Sequence, residues 1–251
     1  VISNMKIIGL VNVQLAYVNN NVYILEVNPR ASRTIPFVSK ALGIPLARLA
    51  AKVMAGKSLK DLKFQNVPNL EGFFVKEAVM PFNKFQNVDP ILGPEMRSTG
   101  EVMGIGNSFA EAFEKAEVGA GVEIPKEGSV FISVRDTDKQ FLSEIVPSLV
   151  EEDFNLIATK GTASVIKNMG FKVSQIKKVI EGRPNIVDLM KNKEVNLVIN
   201  TTEGRESILD SASIRRTALD EKICCTTTIK GAKAICEVIT KKVDWSYRKL
   251  Q

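Results

Sequence analysis

The chain has 251 residues, 45% hydrophobic and 25% charged, with a formal net charge of +6, which is room for one large domain or two modest ones at an ordinary globular balance. The basic excess is scattered rather than gathered into a dense Lys/Arg run, which argues against a nucleic-acid partner, and no stretch reaches transmembrane length or carries a signal-peptide pattern. The complete lack of histidine removes Ser-His-Asp and Cys-His catalysis from the chain.

Residues 6–18 form a strand-rich run that starts close to Val1, abruptly enough to suggest a piece of a longer protein. Asn19-Asn20-Asn21 reads as a turn and 22–28 as the second strand of a β-hairpin. Residues 36–42 suggest a short helix. Pro45 opens a better one over 46–55, closed by Gly56. Strands are expected at 73–79 and 101–105, and a helix at 109–116. The Gly/Pro-bearing stretch 119–128 lacks helical periodicity. It is read as the divide between a first domain (1–120) and a second (129–251), with 121–128 as linker.

The second part alternates strand and helix: strands at 129–134, 156–158, near Val173, 195–199 and 223–227; helices over 139–151, 162–169, 186–190, 212–219 and 231–239. Repeated βα units imply a doubly wound parallel sheet covered on both faces. The fold class is therefore α/β, with an antiparallel hairpin in a smaller α+β first part. The cysteines Cys224, Cys225 and Cys236 have neither disulfide-framework nor zinc-site spacing, so they read as buried thiols of a reducing cytoplasm.

The hairpin holds the first chemical constellation. If 19–21 is a three-residue turn, Val18 pairs with Val22, Gln14 faces Glu26, and Asn12 faces Asn28. Glu26 and Asn28, two apart, share a face. Gln14, Glu26 and Asn28 then form an oxygen-donor set of the kind Mg²⁺ or Mn²⁺ uses when it also holds phosphates. Arg30 and Arg33, close behind, could hold phosphate oxygens during phosphoryl transfer. A surface strand with solvated polar residues fits the same spacing, and a two-residue turn would shift the register and spoil the pairing.

The residues themselves go further. Glu26-Val-Asn-Pro-Arg-Ala-Ser-Arg-Thr34 resembles the metal- and phosphate-binding end of an ATP-grasp domain. Ser32-Arg-Thr-Ile-Pro-Phe-Val-Ser-Lys-Ala41, Ala50-Ala-Lys-Val-Met-Ala-Gly-Lys-Ser58, Met80-Pro-Phe-Asn-Lys-Phe85 and Gly93-Pro-Glu-Met-Arg-Ser-Thr-Gly-Glu-Val-Met-Gly104 narrow this to a resemblance to the large subunits of carbamoyl-phosphate synthases. The resemblance implies an ATP-dependent ligase that makes carbamoyl phosphate from bicarbonate, glutamine-derived ammonia and ATP for arginine and pyrimidine biosynthesis. It implies Mg²⁺ or Mn²⁺ on Gln14, Glu26 and Asn28, and a phosphate- or carbamate-facing role for Arg30 and Arg33. It also implies a glutaminase small subunit as partner and a cytoplasmic location. No glycine-rich phosphate loop lies within the 251 residues, so the chain alone is expected not to turn over ATP.

Polar residues of the second part gather where a doubly wound sheet places ligands, beyond the strands' carboxyl ends. Lys139 follows the first strand. Thr159-Lys-Gly-Thr162 opens a helix, where free N–H groups and the helix dipole favour an anion. Lys178, Asn200-Thr-Thr202 and Thr226-Thr-Thr228 follow later strands. Each piece alone is also an ordinary N-cap or strand threonine. This region resembles the methylglyoxal-synthase-like domain that closes these synthases, which implies a nucleotide effector, UMP or IMP. Thr159, Thr162 and Lys178 would then hold its phosphate, with Gly161 in the same turn. Lys139, Asn200, Thr202 and Asp210 would line the rest, and Lys160 replaces a His common in that turn. Glu77 and Thr227 match part of an ornithine site, and the domain often mediates self-association in the family. The alternatives are a stand-alone nucleotide-binding module, or a methylglyoxal synthase, which the lack of histidine disfavours.

Overall fold

Asn19 and Asn20 both take left-handed backbone conformations, with φ of 49° and 61°. They close the hairpin β1 (Asn12–Val18) to β2 (Asn21–Asn28) as a two-residue turn, Val18 pairing with Asn21. Two left-handed positions suit the right-handed twist of the strands, and Asn tolerates them. The turn is thus one residue shorter than expected. This is seen in a computed structural model that describes residues 2–64, 66–82, 90–91 and 97–247; the side chains of residues 2, 3, 205, 206 and 210 lie outside the description. Parts of the 80–85 and 93–104 segments also lie outside it.

The chain forms two compact units: Val1–Glu71 with Tyr247–Gln251, and Gly72–Ser246. The stretch 119–128 lies inside the second. In the first unit the hairpin is followed by α1 (Thr34–Leu42) and α2 (Leu46–Met54). Gly43, at φ 67°, ends α1 in the left-handed region, where a side chain would be strained. The hairpin carries a run of exposed apolar residues, including Leu15, Tyr17, Val22, Tyr23, Ile24 and Leu25.

In the second unit β3 (Phe73–Val79) and β4 (Gly100–Gly106) pair antiparallel, and α3 (Phe109–Ala120) packs against them. The helix starts where Ser108 accepts a hydrogen bond from Glu111 N–H and stops at left-handed Gly121. A Cβ on Gly104 would lie 1.8 Å from the Ala112 carbonyl oxygen, so the small residue is what lets helix and strand meet.

The rest is a doubly wound sheet. Strands β5 (Ser129–Ser133), β6 (Asn155–Thr159), β7 (Ser174–Ile176), β8 (Leu197–Asn200) and β9 (Cys224–Thr226) lie in the order β7-β6-β5-β8-β9. Every pairing is parallel. The connecting helices are α4 (Leu142–Glu151), α5 (Lys160–Asn168), α6 (Ile186–Lys191), α7 (Arg205–Asp210), α8 (Ala212–Asp220) and α9 (Ile229–Lys241). Alternation along β5 builds two cores. Val130 and Ile132 face one core with Leu142, Ile145, Ile166 and Ile235, while Phe131 faces the other with Ile186, Met190 and Ile214. The expected two-sided burial is therefore observed. Lys139 sits in a 3-10 turn, Asp136–Phe141, rather than in the helix expected from 139.

Candidate functional sites

The shortened turn of the hairpin does not spoil its constellation. From Val18 to Leu15 each residue pairs one place off the expected register, but a bulge after Leu15 leaves Leu25 unpaired. Gln14 then faces Glu26 and Asn12 faces Asn28, since one extra residue in a strand resets everything beyond it. Gln14 Nε2 and Asn28 Nδ2 both donate to Glu26 Oε1, each at 2.6 Å. Turning either amide about its terminal bond would present its oxygen instead. The cluster can thus offer a carboxylate and two amide oxygens to a hard cation. Arg30 and Arg33 are exposed, and the Arg30 guanidinium donates to the Ala31 carbonyl at 3.1 Å. Neither arginine forms an ion pair with Glu26.

The second site lies at the carboxyl ends of β5 and β8, where the strand order reverses. A cavity of about 520 Å³ opens there, lined by Lys139, Thr159, Gly161, Thr162, Lys178, Asn200 and Thr202. Of the residues expected around this pocket, Lys160 is exposed and does not line it. The side chain of Asp210 lies outside the described residues. Thr162 is 1% exposed, and its hydroxyl accepts from Val134 N–H at 3.2 Å. The Thr159 and Ser133 hydroxyls are 3.1 Å apart. Lys139 Nζ pairs with Asp136 at 2.7 Å and lies 3.2 Å from where a Gly161 Cβ would be. It therefore sits over the first turn of α5. The hydrogen bond and charge of Lys139, with Lys178 adding, hold the Asp136 carboxyl below its ordinary range.

Asn200 is 2% exposed, and its Nδ2 has no hydrogen-bond partner. A buried donor left unmade is costly, so an acceptor on a bound ligand fits the cavity. The combination of hydroxyls, lysines, helix N–H groups and an unmet amide suits a small anionic, oxygen-rich molecule.

Sequence reading missed Arg135, Asp136 and Glu203 on the lining. Charged residues after a strand are too common to single out; only the juxtaposition of two loops reveals them.

Glu77, half-buried on β3, stands opposite Val102, and Thr227 is exposed after β9. No hydrogen bond links the two. Burial, with the Glu77 charge adding, raises the Glu117 carboxyl to about 7. Among the described residues no three His, Cys, Asp or Glu groups gather for a metal, and no helix is long and apolar enough to cross a membrane.

Residues 1–62 match the family model "Carbamoyl-phosphate synthase L chain, ATP binding domain", and residues 142–227 match the "MGS-like domain". The chain is 56% identical over 249 residues to the carbamoyl phosphate synthase large chain of Pseudomonas syringae pv. tomato, covering 98% of this chain and 23% of that one. Identity to the Pseudomonas aeruginosa large chain is 56% over 247 residues, with the same coverage. For that of Pasteurella multocida it is 53% over 244 residues, or 97% of this chain and 23% of that one. The chain thus spans about a quarter of these relatives' length. A methylglyoxal synthase of Elizabethkingia anophelis aligns at 17% identity and a TM-score of 0.38, covering 45% of this chain and 79% of that one.

Proposed function

We propose that this chain is the C-terminal portion of a carbamoyl phosphate synthase large chain, carrying the end of an ATP-binding domain and an effector-binding regulatory domain. The whole protein is an ATP-dependent, glutamine-hydrolysing ligase of the cytoplasm, working with a glutaminase small subunit. Residues 1–120 supply the end of the domain that phosphorylates carbamate, and 129–251 supply the regulatory domain.

In the first part Gln14, Glu26 and Asn28 would hold Mg²⁺ or Mn²⁺. When bound, the metal neutralises phosphate charge during phosphoryl transfer. The chain's own residues orient and clamp: the bulge at Leu25 brings the three donors to one place, and Arg30 and Arg33 are exposed for phosphate or carbamate oxygens. The exposed apolar run of the hairpin supports further protein packing against it in the whole enzyme. The isolated chain is expected to show no ATP-dependent turnover.

The observation that carries the regulatory reading is the cavity at the order reversal, whose lining includes Lys139, Thr159, Thr162, Lys178, Asn200 and Thr202. A nucleoside monophosphate, UMP or IMP, would put its phosphate over the N-terminus of α5. Calorimetric titration of the chain with each nucleotide tests this. Saturable heat and a raised melting temperature with at least one support it; neither response with either nucleotide overturns it. Glu77 and Thr227 would contribute to an ornithine site, and self-association would run through the second part.

A further inference from the structure

The cavity is larger than an anion needs. Its volume of about 520 Å³ suits a whole small molecule. Lys139 lies over the first turn of α5, so the rest of a ligand has to meet other parts of the lining. Two charged residues there, Arg135 and Glu203, have no place in anion binding at α5. Arg135 follows β5. Its Nε donates to Asp138 Oδ2 at 2.8 Å, and the Asp138 side chain is 9% exposed against 41% for Arg135. A buried carboxylate thus fixes the plane of the guanidinium through one nitrogen. The two terminal nitrogens make no hydrogen bond to a described residue and remain as donors.

Glu203 arrives on the same lining from the loop after β8. Arg135 N–H donates to Thr201 Oγ1 at 3.1 Å, and Thr201 N–H donates to the Ser133 carbonyl at 3.0 Å. These bonds tie the two loops together, two residues before Glu203. Glu203 is exposed and has no partner among the described residues. A carboxylate lining a cavity for an anion works against binding unless the ligand presents a donor to it. Beside it, Arg135 calls for an acceptor.

We propose that Arg135 and Glu203 are specificity-determining residues that read the base of a nucleoside monophosphate. Glu203 accepts from a ring N–H, and Arg135 donates to the adjoining carbonyl. Uracil and hypoxanthine share that edge. Cytosine and adenine carry the reverse, a bare ring nitrogen beside an amino group. With phosphate and sugar held in place, a reversed base sets its lone pair against the carboxylate and its amino N–H against the guanidinium, and leaves both unmet.

The inference rests on the nucleotide-pocket reading. It is tested by titrating UMP, CMP, IMP and AMP into the 251-residue chain and its Arg135→Lys and Glu203→Gln variants, with the ligand-free melting temperature of each. Arg135→Lys keeps a charge for Asp138 but loses the fork of donors. Glu203→Gln, at an exposed position, carries the test if Arg135→Lys folds poorly; its amide can turn to meet either edge. The readout is the ratio of affinities, because a changed charge near a phosphate shifts all four nucleotides together. The unsubstituted chain should bind UMP over CMP, and IMP over AMP, by about tenfold or more, and each variant should narrow both ratios to within about threefold. Equal binding of the four, or a preference for CMP and AMP, would overturn the proposal and leave the pocket reading standing. So would ratios unchanged in the variants, or variants that weaken all four alike. If the unsubstituted chain binds none of the four, the pocket reading itself has failed and this inference falls with it.

Discussion

Ser246 gives both its backbone N–H and its hydroxyl to one oxygen of Glu111, each at 2.6 Å. Lys115 Nζ reaches the same oxygen at 2.7 Å, and Asn107 N–H reaches the other at 2.7 Å. One turn along α3, Glu114 accepts from the Trp245 indole at 2.8 Å. The segment after α9 is thereby clasped to α3 by two buried carboxylates. Burial alone would raise the Glu111 carboxyl. Its bonds from Lys115, Ser246 and Asn107 outweigh that and lower it from 4.5 to about 2.

That depression sets an acid limit. A carboxyl whose folded pKa lies below its unfolded one stabilises fully above the unfolded value and progressively less as pH falls toward the folded one. Glu111 should therefore contribute in full above about pH 5 and lose its contribution between there and pH 2. Denaturant unfolding across that window should show stability falling with acid, and Glu111→Gln should flatten the fall while lowering stability at neutral pH. An equal acid dependence in both proteins would place its origin elsewhere.

The Gly104 approach gives a second expectation. A methyl there would lie 1.8 Å from the Ala112 carbonyl oxygen and 2.8 Å from Ala116 N, both backbone atoms of α3 that cannot step aside. Gly104→Ala should cost about 2–4 kcal/mol in urea unfolding. Gly100→Ala, on the same strand with nothing within 4 Å, should change stability by under about 1 kcal/mol.

The two parts were unequally readable from residues alone. Strands β5 and β8 stand out because a parallel strand buried on both faces is a continuous apolar run, and Val130-Phe-Ile132 and Leu197-Val-Ile199 are such runs. The hairpin was legible for a more fragile reason. The expected three-residue turn and the actual two-residue turn with a bulge at Leu25 put Gln14 opposite Glu26 alike, because each adds one residue to the β2 side. Nothing in Ile24-Leu-Glu26 marks the bulge. The Arg135–Thr201 contact was invisible for a different reason: its partners are far apart in sequence and meet only through the parallel pairing of β5 with β8.

On the proposed carbamoyl phosphate synthase function, the hairpin cluster makes a prediction for the whole enzyme. With Glu26 changed to Gln, the two amide donors that now meet its carboxylate lose their charged acceptor, and a cation loses the only charged ligand of the three. Carbamoyl phosphate synthesis should fall by about a hundredfold or more, with nucleotide binding in the second part unaffected. Retention of activity would remove Glu26 from the metal set.

The thiols should be inert. Cys224 and Cys236 are buried and Cys225 is partly so; loss of hydration pushes all three thiols up to about 12, with the Glu117 charge adding at Cys224. Thiolate is the reactive form. A thiol-specific chromogenic reagent at neutral pH should therefore modify the native chain negligibly and all three cysteines after unfolding. Rapid modification of the native chain would show that one of these cysteines is reached without unfolding.

Lys139 offers the cleanest separation of binding from folding. Its ammonium pairs with Asp136, whose side chain is 93% exposed, so the pair itself contributes little to stability. The same ammonium lies over the first turn of α5, next to Gly161, where its charge adds to that of the helix N-terminus. Lys139→Met should leave the melting temperature nearly unchanged. It should weaken nucleotide binding by about tenfold at low salt and less at high salt, since a screened attraction is what is removed. Gly161→Ala should act in the same direction by pressing on Nζ at 3.2 Å. If Lys139→Met binds UMP and IMP with the affinity and salt dependence of the unsubstituted chain, the phosphate does not sit over α5.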